Sequence, residues 1–101
     1  MTQRQADTRR GLVEAYRQGL GPRAAARLSE QQIRSDALIV AARVDAEVER
    51  LQRAGGLKSV NKSYRDYRIE AAACGERVRP YVAWLEDYKA ELVREIATNL
   101  R

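Results

Sequence analysis

An all-α fold, an antiparallel hairpin of two long helices with a shorter N-terminal helix against it, is what this sequence predicts. Three observations predict it. Apolar residues recur at helical spacing over most of the 101 positions, only two prolines and six glycines interrupt them, and those interruptions fall where helices should stop. The length allows one domain over residues 1–101. Of the hydrophobic residues, 16 are alanine and only 21 are Leu, Ile or Val, which predicts a narrow apolar seam rather than a deep centre.

Residues 1–7 are polar and show no period, so they are expected to be disordered. The first helix is predicted over about 8–20, with Leu12, Val13, Tyr16 and Leu20 on one face and Thr8 as its cap. Gly19-Leu-Gly-Pro22 should end it, because proline disfavours helix in the residue before it. The second helix is predicted over 23–54, entered at Pro22 and ended by Gly55-Gly56. Its stripe is Ile33, Ala37, Val40, Val44, Val48 and Leu51, widened by Leu38 and Ala41. Ser29-Glu-Gln-Gln32 within it has the capping-box pattern and either starts a fresh helix or lies unused inside the longer one.

The short linker after Gly55 forces an antiparallel return. From Val60 the row Tyr64, Tyr67, Ala71, Cys74, Val78, Tyr81, Leu85, Tyr88 and Leu92 alternates steps of four and three. It keeps phase through Gly75 and Pro80, so one helix over 63–100, kinked near Pro80, is preferred to two helices meeting at 75–79. The two arms, 29–54 and 63–100, would then be about 39 and 57 Å long. The overhanging Tyr81, Trp84, Leu85, Tyr88, Leu92 and Ile96 ladder is too apolar to face water, which predicts a homodimer through the C-terminal helix. Cys74, on the seam, is expected to be a small buried hydrophobe.

Several functions are excluded by what the chain lacks. With no histidine and one cysteine it has neither a Cys/His zinc site, nor an internal disulfide, nor a triad with imidazole as base. No metal, cofactor or enzymatic activity is expected. No apolar run approaches the ~20 residues of a bilayer span and no leader pattern is visible, so a cytoplasmic location and no membrane are expected.

Charge is where function is predicted. The chain carries 19 Lys and Arg against 14 Asp and Glu, a net of +5. Residues 1–34 hold seven Arg against three acids, and residues 55–79 hold six basic side chains against three acidic ones. Lys58, Lys62, Arg65 and Arg68 project from a linker and a helix start beside Ser59, Asn61 and Ser63, a composition suited to phosphate oxygens. Tyr64 and Tyr67 between them have the rings to stack bases, although as seam residues they also fit the core. Arg23 and Arg27 add charge from the N-terminal third. Leu12 to Ser29, a helix, a glycine turn and an alanine-rich helix, resembles the opening of a helix-turn-helix unit, which would make Arg23, Arg27 and Arg34 its DNA-contacting residues. The positions where that family has a turn glycine and a β-branched core residue hold Ser29 and Ser35, or Glu30 and Asp36, so an amphipathic helix covering the hairpin is preferred.

The functional expectation is a basic, non-enzymatic regulator or accessory subunit that associates with nucleic acid or another polyanion. The alternative is a protein-binding adaptor or inhibitor that presents Tyr81, Trp84 and Tyr88 to a protein partner.

Overall fold

The computed structural model describes residues 3–54 and 60–100, and the side chains of all of these except 4–8 and 54. Among them are four helices and no strand: α1 (Gln3–Ala26), α2 (Glu30–Ala54), α3 (Val60–Ala73) and α4 (Tyr81–Asn99). Gln3 to Asp7, expected to be disordered, are already in α1. Its first part stops where the sequence expects, just before Gly21. It breaks at Gly21 (φ 83°, ψ 163°), and Pro22, a residue suited to a first helical turn, restarts it as far as Ala26. The glycine–proline pair therefore ends the first helix and starts a short second one, so that α1 is two helices joined across a kink.

The capping pattern at Ser29 is used, so residues 23–54 are not one helix. Ser29 Oγ accepts the Gln32 backbone N–H at 3.1 Å, and Ile33 N–H closes the first turn on the Ser29 carbonyl at 3.0 Å. Only half of the expected box forms, because the Gln32 side chain reaches forward and donates to Asp36 Oδ1 at 2.9 Å. From there the stripe is as read. Ile33, Ala37, Val40, Ala41, Val44 and Val48 are buried, whereas Leu38 stays 42% exposed.

The long kinked helix over 63–100 is the main correction. The α3 helix stops at Ala73 and Gly75 takes a left-handed φ of 73°. Gly75 N–H donates to the Ala72 carbonyl at 3.2 Å, and Glu76 N–H to the Ala71 carbonyl at 2.8 Å. That pair of bonds is the Schellman termination, which satisfies two of the carbonyls left open at the end of α3. Residues 76–80 are non-helical, and α4 opens when Trp84 N–H donates to the Pro80 carbonyl at 3.0 Å. Cys74, at this terminus, is exposed rather than buried.

The core joins α1, α2 and α4. Ala15, Tyr16 and Leu20 come from α1, the stripe from α2, and Val93 and Ala97 from α4, with Val60 at the start of α3 closing one end. Each fully buried valine contributes on the order of 1.5 kcal/mol. The hydrogen bond from Gln52 Nε2 to Tyr81 Oη (2.9 Å) and the Lys89–Asp45 ion pair (3.0 Å) show that α2 and α4 run antiparallel, in part the pairing expected of the hairpin. The N-terminal helix is no mere cover, since α1 makes its most extensive contact with α4. Gly19 permits it. A Cβ there would lie 2.7 Å from Ala97 Cβ and closer still to the Arg94 carbonyl oxygen. Thr98 Oγ1 donates to the Gly19 carbonyl at 3.3 Å across the same crossing. With α3 and α4 separate, no 57 Å arm exists, and the longest dimension of the molecule is 43 Å.

Candidate functional site

The basic segment at the start of α3 divides on inspection. Lys58 lies outside the described residues. Lys62 Nζ pairs with Asp66 Oδ2 one turn on, at 2.8 Å, so it is tied to an acidic neighbour. Arg65 and Arg68 are exposed, and the Arg68 guanidinium sits 6.0 Å above the Tyr64 ring.

Tyr64 and Tyr67 do not face outward to receive bases. Both are half-buried, and their hydroxyls hold the backbone of the link to α4. Tyr64 Oη donates to the Arg79 carbonyl at 2.7 Å, and Arg79 N–H donates to Tyr67 Oη at 3.0 Å. Their rings lie 5.2 and 6.2 Å from that of Trp84.

The same cluster absorbs the residues expected to meet a protein partner. Trp84 stacks on Tyr88 at 5.1 Å, and Tyr81 meets Tyr64 edge-on at 5.1 Å. Tyr81 Oη also accepts from Gln52 and donates to Asn61 Oδ1 at 3.3 Å. Tyr81, Trp84 and Tyr88 are half-buried within one chain, and Leu85, Leu92 and Ile96 lie against the core. The apolar ladder on which the expected homodimer rested is thus covered by the protein's own helices.

Arg23 and Arg27 are exposed beside the Gly21 break, where they line a hollow with Leu20, Pro22 and Ala24. They stand at the N-terminal end of α2, and Lys62, Arg65 and Arg68 follow its C-terminal end. A helix of 25 residues is about 37 Å long, so the two groups form no common surface.

A separate cleft of about 430 Å³ lies between α1 and the first turns of α2. Four guanidiniums line it, those of Arg9, Arg10, Arg17 and Arg34, with Val13 and Leu38 as apolar wall. Its two carboxylates are already engaged. Glu14 pairs with Arg17 at 3.0 Å, while Glu30 pairs with Arg17 and lies 3.8 Å from Arg34. Reading residues one at a time misses this cleft. Its signal is there in the spacing, Arg10, Val13 and Arg17 on one face of α1 and Arg34 and Leu38 one turn apart on α2.

Titration behaviour identifies no further site. Burial pushes the Tyr16 phenol above its ordinary value, and the Asp36 carboxylate adds to that. On the fully exposed surface of α2, the hydrogen bond from Arg50 holds the Glu47 carboxyl below the usual range.

No helix among the described residues is long and apolar enough to cross a membrane. Compared with known proteins, the chain matches no family model, and neither a curated protein nor a solved structure shows significant similarity to it.

Proposed function

We propose that this protein is a small, non-enzymatic binding protein that holds nucleic acid, or an equivalent polyanion, at the corner between α1 and α2. The reading is carried by one observation, the cleft in which four arginines meet only two carboxylates, both already paired. Arg17 serves as the fixed centre of that network, which leaves Arg9, Arg10 and Arg34 as the groups that meet phosphate. Guanidinium binds phosphate oxygens through two parallel hydrogen bonds, which gives both strength and orientation. Arg23 and Arg27 extend the contact along the backbone of the ligand. Because the rings of the aromatic cluster are turned into the protein, this mode grips the backbone and reads little base sequence. Arg65 and Arg68 are not part of it, since they stand beyond the other end of α2.

The test is binding of labelled duplex DNA and single-stranded RNA across a salt series, followed by fluorescence anisotropy. Each phosphate neutralised on duplex DNA contributes about −0.9 to the slope of log affinity against log salt. The pair Arg9→Ala and Arg10→Ala should flatten the slope by up to about two such increments, with Arg34→Ala adding about one. Arg65→Ala should leave it unchanged. Binding that ignores salt, or that the cleft variants leave intact, would defeat the reading.

A further inference from the structure

We infer that the outer face of α3 docks an acidic amphipathic helix of a partner protein. This surface is at the other end of α2 from the proposed polyanion site and does not depend on it. A shallow hollow of about 370 Å³ is formed there by Ile69, Ala72 and Val78, with Arg65 and Arg68 at its rim. Ile69 is 64% exposed, and Val78 37%. Among the residues that line the hollow the charged groups are the two guanidiniums, set over an aliphatic floor.

That combination selects the occupant. A leucine or isoleucine side chain fills the floor, and a carboxylate on the next turn of the same helix meets a guanidinium, as in recognition of a helix by a groove. A phosphate chain would gain from the two arginines but would leave the aliphatic floor exposed, and no aromatic ring is presented there to stack a base. The surface is also ordered in advance. Arg68 is held over the Tyr64 ring at 6.0 Å, and Val78 belongs to the link whose backbone is fixed by the Tyr64 and Tyr67 hydroxyls through Arg79. Groups already held in place lose less freedom on binding.

The experiment is an NMR titration of the full ¹⁵N-labelled chain with a synthetic helical peptide carrying leucines on one face and glutamates on its flanks. A scrambled peptide of the same composition and a single-stranded DNA oligonucleotide are run beside it. The helical peptide should shift the amides of residues 65–72 and 78, and bind at least about tenfold tighter than the scrambled one. Ile69→Ser should weaken binding by about tenfold or more without altering the melting of the protein, since that side chain is mostly in water. Arg65→Ala with Arg68→Ala should lose more affinity at low salt than at high salt. The inference fails if these amides do not move with peptide at about 1 mM, or if the scrambled peptide binds equally well. It fails equally if the oligonucleotide moves the same amides, or if protein concentration alone moves them, which would make the occupant a nucleic acid or a second copy.

Discussion

At the scale of single residues, Gly19 has the clearest steric role. The sequence presents it as part of a helix stop, yet the helix runs through it and the missing side chain is what lets α1 approach α4. Gly19→Ala adds a methyl group that meets backbone at the Arg94 carbonyl as well as Ala97 Cβ, and backbone cannot turn aside. Overpacking of this kind costs about 1–3 kcal/mol, against which the gain in helix propensity, about 1 kcal/mol at most, is small. Urea unfolding should therefore show a net loss. Ala97→Gly in the same chain should restore only part of it, because the clash with the carbonyl remains. Tyr16 gives a second test at this scale. Its phenol is raised by burial and by Asp36, so the folded state holds that proton more tightly than the unfolded one. The stabilisation this gives is complete below the unfolded tyrosine value of about 10 and is lost as the pH rises through the folded value. Tyr16→Phe should remove this alkaline loss, and a comparison of melting temperatures from neutral to strongly alkaline pH measures it.

The helices as elements depend on their ends. Ser29→Ala removes the acceptor of the Gln32 N–H and should cost about 1 kcal/mol. Gly75→Ala places a side chain in open space but at a left-handed φ, so its cost of about 1–2 kcal/mol is purely one of backbone. Gly75→Asn, which tolerates that region better, should cost less, and thermal unfolding of the three variants checks the order. These ends also explain what the sequence disclosed and what it hid. The α2 stripe was legible because six residues from Ile33 to Leu51 repeat on one face of an unbroken helix. The break after Ala73 was concealed by the same rhythm. An apolar period records which side of each helix meets the core, and it keeps phase across a link whenever the link returns the chain to the same side. Cys74 and Val78 fit the row yet are exposed, so the local signal of a glycine two residues past a run of alanines marks the helix end better than the period does. For the site, the basic character of the N-terminal third was legible from composition. Its focus was not, since the cleft is made by pairing Arg9, Arg10 and Arg17 with Arg34 across two helices. The aromatic residues were legible as a seam, but composition could not show that the rings of Tyr64, Tyr67, Tyr81, Trp84 and Tyr88 pack on one another.

Across the whole molecule, stability is unevenly distributed. The helices α1, α2 and α4 share the main buried cluster, to which α3 adds Val60, and Ala71 is the one other residue it buries. Beyond that, α3 is held by the rings around Trp84, by two hydroxyl bonds to the backbone of residue 79 and by the bond from Tyr81 Oη to Asn61, among other contacts. Segments with few buried apolar contacts open at a fraction of the global free energy. The amides of α3 should accordingly exchange with solvent through a local opening, while the buried turns of α2 and α4 exchange only near the global limit. Tyr67→Phe deletes the acceptor of the Arg79 N–H, a bond worth about 1 kcal/mol net, and should speed exchange across α3 about fivefold with α2 left unchanged. Trp84, the only tryptophan in the chain, lies inside the cluster and reports its opening directly. In a denaturant titration its fluorescence should change before the far-ultraviolet signal of the helices, and Tyr67→Phe should widen that gap. Coincident transitions in both proteins would mean instead that α3 and the three-helix core unfold as one cooperative unit.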